Sequence, residues 1–158
     1  MATIKSLTTI IFDLDGTLCT YKSDIETSLL DIFGLENVED LPITAKDYKE
    51  GFDVEFNKAI DNAVTQPEME FRTRIFWNNL KNQDYGREEI LSLGQRFASN
   101  RENELNLYED ARAVFEKLSG KFKLGLLTNG PSGLQRRKIE VLDIESWFDD
   151  IVVSGEHN

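Results

Sequence analysis

Cysteine occurs once, at position 19, and histidine once, at position 157. A single thiol excludes an intramolecular disulfide framework and suits a reducing compartment. No histidine lies near Cys19 to activate it, so a cysteine nucleophile is not expected. His157 sits at the very end of the chain, where fraying is the default, and is given no catalytic role. Positive charge is scarce too. The 18 Lys and Arg against 29 Asp and Glu leave a net charge of -11, the wrong sign for gripping the phosphate backbone of a nucleic acid. No apolar run approaches the ~20 residues that cross a bilayer, so no membrane partner is expected. The N-terminus has no signal-peptide layout, and internal repeats and low-complexity tracts are lacking. What is present is 40% hydrophobic and 10% aromatic residues in a chain of 158, enough for a core. These features predict a soluble, cytoplasmic α/β protein.

Three short apolar runs read as buried strands: Leu7 to Phe12, Phe122 to Leu127, and Ile151 to Val153. Each ends at a turn signal, respectively Asp15-Gly16, Asn129-Gly130-Pro131 and Ser154-Gly155. Between them Ala111, Val114, Phe115 and Leu118 recur at helical spacing, and Ile139 with Leu142 does so again. From residue 107 onward this alternation predicts a parallel sheet with right-handed crossovers. Residues 20–106 differ. Ser23-x-x-Glu26 has a capping-box pattern ahead of Ile25, Leu29 and Ile32-Phe33, and Thr44-x-x-Asp47 resembles it ahead of Tyr48, Phe52, Phe56, Ile60 and Ala63. Pro67 fits a first helical turn before Phe71, Ile75 and Leu80, and a fourth segment from Arg87 to about Asn103 carries Ile90, Leu91 and Phe97. A four-helix insertion thus interrupts an α/β core after its first strand. The expected division is core at 1–19 and 107–158, and insertion at 20–106. The insertion holds 18 acidic and 10 basic residues, the rest 11 and 8, so most of the net charge belongs to the insertion.

The densest chemical signal is Asp13-Leu14-Asp15-Gly16-Thr17, directly after Ile10-Ile11-Phe12. A hydrophobic strand here delivers two carboxylates at its C-terminal edge, where open α/β sheets bind ligands. Gly16 allows a tight turn, and Thr17 adds a hydroxyl for an anion or for the turn itself. One carboxylate can attack an electrophile while the other protonates the leaving oxygen and later activates water. A hard cation would relieve their repulsion, and Mg²⁺ favours one or two carboxylates with water and substrate phosphate. The plainer alternative is an Asx-turn that caps the loop. Leu126-Leu127-Thr128-Asn129-Gly130 ends a second strand with a hydroxyl, an amide and a glycine, suited to phosphate oxygens when it lies beside the first.

Together these segments resemble the haloacid dehalogenase-like (HAD) hydrolase superfamily, with Asp13-Leu14-Asp15-Gly16-Thr17 as its first motif and Leu127-Thr128-Asn129-Gly130 as its second. The resemblance implies a three-layer, Rossmann-like parallel sheet with an inserted helical cap of the C1 type. It implies that Asp13 is the nucleophile and a Mg²⁺ ligand. Asp15 is then the acid/base and a second metal ligand through its backbone carbonyl. Phosphate-binding residues by the same likeness are Thr128 and Asn129, with Gly16 and Thr17 beside them. An aspartate at Asp15 favours phosphate-ester hydrolysis over carbon–halogen cleavage. The implied substrate is a small phosphorylated metabolite, a nucleotide or a sugar phosphate.

The pattern also departs from the family. Members similar to Ser154-Gly155-Glu156-His157 continue into a lysine-proline pair, and a later strand supplies further aspartates for Mg²⁺; neither is present here. Arg136, Arg137 and Lys138 lie upstream, and one of them is a candidate stand-in for the lysine. The expectation is a shortened form of a longer phosphatase with an incomplete sheet, in which strand 7–12 becomes an apolar edge open to a second copy of the chain. The alternatives are a non-catalytic fragment or phosphate-binding module, and a phosphosugar mutase that shares the first motif.

Overall fold

A parallel three-stranded sheet forms one layer of the computed structural model, which describes residues 7–61 and 67–157. Strands β1 (Thr9–Phe12), β4 (Lys123–Thr128) and β5 (Asp150–Val153) lie in the order β1-β4-β5. The register sets Phe12 against Leu126 and Thr128 against Val153. The crossovers are α5 (Ala111–Leu118), which leads into β4, and α6 (Ser132–Val141), which joins β4 to β5. Phe115 of α5 and Ile139 of α6 meet Leu126, Phe12 and Phe148 in one apolar cluster. Phe12 stands edge-on to Phe115 at 5.7 Å and Phe115 edge-on to Phe148 at 5.4 Å. Burying a ring of this size stabilises by roughly 2–3 kcal/mol.

Only one face of the sheet is covered in this way. Burial along β4 alternates, and Ile11 and Leu127 remain 65% and 51% exposed. The strands are therefore half-buried rather than fully buried. An apolar run reads as a two-sided strand in sequence, but here both packed helices contribute to the same side. The outer edge of β1 has no partner strand among the described residues.

Between β1 and β4 the chain forms β2 (Cys19–Tyr21), then the helices α1 (Ile25–Phe33), α2 (Ala45–Asp61), α3 (Glu68–Leu80) and α4 (Arg87–Glu104), and returns through β3 (Leu105–Leu107). The helices enclose their own apolar cluster, centred on Tyr48, Phe71, Ile75, Phe76 and Phe97. Strands β2 and β3 pair antiparallel, Cys19 with Leu107 and Tyr21 with Leu105, so the chain leaves and re-enters the sheet layer through a short clasp. Three-residue strands are too short to give a periodic signal, which is why the clasp is missing from the sequence reading.

The helix starts follow local chemistry. Thr44 and Asp47 form the expected reciprocal pair: the Asp47 N–H donates to Thr44 Oγ1, and the Thr44 N–H to Asp47 Oδ2. At α1 the cap is Asp24, not Ser23; its Oδ1 accepts from the Thr27 N–H at 2.8 Å, while Ser23 Oγ meets Ser28 Oγ. Pro67 caps α3 from just outside rather than occupying its first turn. Leu91, expected on an inward face, is 43% exposed, whereas Ile90 and Phe97 are buried. Ala63 lies outside the described residues. Gly94 lets α3 and α4 cross closely, because a Cβ there would sit 2.8 Å from the Thr73 Cα.

Candidate active site

Asp13 follows the last residue of β1, and Thr128 is the last residue of the neighbouring β4, so the two motifs emerge side by side at one end of the sheet. The turn after Asp13 is tied by Leu14, whose carbonyl accepts the N–H groups of Leu18 and Cys19 at 2.9 and 3.2 Å. Gly16 adopts φ 76°, the left-handed region that favours glycine, and its N–H is spent on the Cys19 carbonyl at 3.0 Å. Thr17 donates its hydroxyl to Asp13 Oδ2 at 3.1 Å. That bond fixes one oxygen of Asp13; the other has no hydrogen-bond partner among the described residues.

Asp15 is held from the opposite side. Lys138 Nζ donates to both of its carboxylate oxygens, at 2.7 and 2.9 Å, and Gln135 Nε2 donates to Oδ2 at 2.9 Å. The same Gln135 nitrogen donates to Thr128 Oγ1 at 2.9 Å and to the Asn129 carbonyl at 2.7 Å. Gln135 therefore staples the first motif to the second. Its Oε1 is buried with no partner. Flipping the amide would set that oxygen against the acceptors Asp15 and Asn129, so the hydrogen-bond pattern dictates the orientation. Thr128 is buried, and because its oxygen already accepts from Gln135, its own proton is free to be donated.

Asn129 and Gly130 are pinned to the end of β5. Ser154 Oγ donates to Asn129 Oδ1, the Gly130 N–H donates to Ser154 Oγ at 3.0 Å, and the Gly155 N–H reaches the Gly130 carbonyl at 3.1 Å. Gly130 (φ 149°) also leaves room for Gln135, whose Nε2 would lie only 3.0 Å from an added Cβ. Beneath this loop Ser132 and Arg136 hold Glu156, and the Arg136 guanidinium, foremost, keeps the Glu156 carboxyl down at about 2.

Of the three basic residues on α6, then, only Lys138 reaches the aspartates. Arg136 pairs with Glu156, and Arg137 with Glu102 and Glu140. Lys138 is one of the three basic residues named from the sequence, whereas Gln135 is a site residue that reading the sequence for motifs passed over. Cys19 is buried, its Sγ faces the Leu14 carbonyl, and burial with the nearby Asp15 charge pushes its thiol up to about 12. A thiol so placed is a packing group rather than a nucleophile. Among the described residues no three acidic, histidine or cysteine side chains converge as a metal cage. Asp13, with one carboxylate oxygen unused by hydrogen bonds among the described residues, fits an ion such as Mg²⁺ that keeps several waters. Among the described residues, too, no helix is long and apolar enough to cross a membrane.

The chain is 45% identical over 58 residues to N-acylneuraminate-9-phosphatase of Rattus norvegicus, and 43% identical over 58 residues to that of Homo sapiens. Each match covers 37% of this chain and 23% of the relative, so the chain aligns with under a quarter of their length. Among solved structures it is similar to the HAD-hydrolase YfnB of Bacillus subtilis bound to magnesium, with TM-score 0.52, 23% identity, and 94% of this chain against 64% of that one. It is also similar to 2-haloacid dehalogenase of Pseudomonas syringae, with TM-score 0.60, 18% identity, and 96% of this chain against 65% of that one. Both share the fold and are longer. The family model for haloacid dehalogenase-like hydrolases matches residues 7–158. The chain belongs to the haloacid dehalogenase-like hydrolase family.

Proposed function

We propose that this chain carries the catalytic motifs of a Mg²⁺-dependent phosphomonoester hydrolase that works through an aspartyl-phosphate. The observation that carries the reading is the convergence of Asp13, Asp15 and Thr128 at one sheet end, with Gln135 bonding Asp15 to Thr128. The free oxygen of Asp13 attacks phosphorus, and the bond from phosphorus to the leaving oxygen breaks. Asp15 gives that oxygen a proton, then takes one from the water that cleaves the acyl-phosphate. Thr17 holds the attacking carboxylate in one orientation, and the free proton of Thr128 is donated to a phosphoryl oxygen. Asp13 and the Asp15 carbonyl would hold Mg²⁺, which supplies charge neutralisation for the phosphoryl group. The Asn129 backbone lies beside the same position, while Gly16 and Thr17 act by shaping the Asp13 turn. Helices α1–α4 form the cap over the site and set which phosphorylated metabolite enters. The likeness to N-acylneuraminate-9-phosphatases supports a sugar phosphate.

The test is hydrolysis of an aryl phosphate with and without Mg²⁺, by the native chain and by Asp13→Asn and Thr128→Val. Mg²⁺-dependent turnover abolished in the first variant and reduced about 10²- to 10³-fold in the second is expected. Turnover that survives Asp13→Asn would overturn the reading.

A further inference from the structure

Two polar side chains on one face of α6, Gln135 and Lys138, take no direct part in the proposed reaction, yet both are buried, at 2% and 8% exposure. Residues three apart on a helix are neighbours, and both of these heads converge on the carboxylate of Asp15. A carboxylate accepts at about four lone-pair sites, two on each oxygen. Oδ2 takes Lys138 Nζ at 2.9 Å and Gln135 Nε2 at 2.9 Å, so both of its sites are filled. Oδ1 takes Lys138 Nζ alone, at 2.7 Å. One site, on Oδ1, is left without a donor among the described residues. All three bonds come from buried groups on α6, whereas the Asp15 side chain is 43% exposed, so the unfilled side is the one open to solvent.

Holding Asp15 in this way costs stability elsewhere. Gln135 Nε2 carries two protons but lies within bonding distance of three acceptors, Asp15 Oδ2, Thr128 Oγ1 and the Asn129 carbonyl. Its Oε1 is buried with no partner, a loss that an apolar side chain of the same size would avoid. Lys138 gives up water to meet Asp15, and the Tyr21 ring of β2, its centre 5.9 Å from Nζ, steadies the ammonium from a second element. Neither residue bonds Asp13, whose carboxylate takes the Thr17 hydroxyl, so their hold is on the acid/base and not on the nucleophile. Sequences break local rules of polar satisfaction chiefly where chemistry is done.

Resting on the phosphatase reading, we infer that Gln135 and Lys138 are positioning residues that fix which oxygen of Asp15 moves the proton: by filling Oδ2 they leave Oδ1 to carry it. In the first half-reaction an Asp13 oxygen bonds to phosphorus. The bond from phosphorus to the leaving oxygen breaks with its electron pair on that oxygen, which takes the proton from Oδ1. In the second, Oδ1 takes a proton from the water that attacks phosphorus, and the Asp13 carboxylate is released. The three bonds from α6 persist through both halves, so Asp15 stays in one orientation between them.

Two aryl phosphates read this role, because their leaving groups differ in need of a proton. Phenolate leaves poorly without one, whereas 2,4-dinitrophenolate departs as the anion. The quantity compared is kcat/KM, which ends at loss of the phenol and excludes the later water step. Lys138→Met removes the ammonium, and Gln135→Leu removes the amide donors together with the unpaired Oε1. In each, kcat/KM should fall about tenfold or more further for phenyl phosphate than for 2,4-dinitrophenyl phosphate. That ratio is taken on one preparation, so a smaller folded fraction cancels from it, and either variant alone decides the point. Lys138→Arg keeps the charge and the N–H donors and should restore most of the ratio. An equal fall for both substrates, or no fall for either, overturns the inference and leaves the phosphatase reading standing. Turnover that survives Asp13→Asn, or no turnover of either substrate by the native chain with Mg²⁺, overturns the phosphatase reading and the inference with it.

Discussion

Removing the Lys138 ammonium tests how firmly α6 is fastened to the first motif. Its side chain is 10% exposed, that of Asp15 is 43% exposed, and they meet at 2.7 Å. Coulomb attraction at that distance is about 1.5 kcal/mol in bulk water and about 6 kcal/mol at an effective dielectric near 20. The pair straddles these limits, one partner buried and the other wet. Desolvating Lys138 offsets much of the gain, and Gln135 continues to hold Asp15 when Lys138 is lost. The expected net coupling is therefore about 1–3 kcal/mol, above the 0.2–1 kcal/mol of ordinary surface pairs. Lys138→Met keeps the stem that covers the site, and Asp15→Asn keeps the shape of its partner. Urea unfolding of both single variants and the double variant, followed by the fluorescence of Trp147 against Phe115, gives the coupling directly. A coupling below about 0.5 kcal/mol would refute the claim that this pair is a structural link and would return Lys138 to the status of a solvated basic residue.

Three further outcomes are expected. Gly94→Ala should destabilise the helical insertion by about 2–4 kcal/mol, read by thermal unfolding, since its Cβ would press on the Thr73 backbone; an unchanged melting temperature would show that the crossing can open at little cost. Cys19, buried and with its thiol pushed up to about 12, should resist alkylation at pH 8 until the chain is unfolded; rapid labelling of the native chain would contradict that placement. The bare edge of β1, next to an uncovered sheet face on which Ile11 is 65% exposed, should pair with a second copy in sedimentation experiments, and Ile11→Lys should weaken the pairing; a monomer at high concentration would refute it.

The parts of this fold that show in sequence are those with a repeating pattern or a turn signal. Helical spacing from Tyr48 to Ile60 and from Phe71 to Leu80 predicts α2 and α3, and the apolar runs before Asp13 and Thr128 place both strand ends. The clasp of β2 and β3 escapes because three residues make no period. The half-bare sheet escapes because a strand's composition does not reveal which face the helices take. Gln135, and the choice of Lys138 from the basic trio, were legible in principle. Leu134, Gln135, Lys138 and Ile139 are all buried on α6, and the apolar members of that stripe mark the face. A basic run on a helix reads as solvated until one of its members is seen to share a stripe with Leu134 and Ile139.

The account turns on Asp13 as the atom that takes the phosphoryl group. Rapid acid quench of the chain during turnover of a phosphate monoester, followed by mass spectrometry of the peptide that contains Asp13, measures this directly. The expected result is one phosphoryl group on Asp13, absent when the substrate is omitted and absent in Asp13→Asn. Turnover with no adduct on that peptide, an adduct on another residue, or no turnover from the folded chain would contradict it.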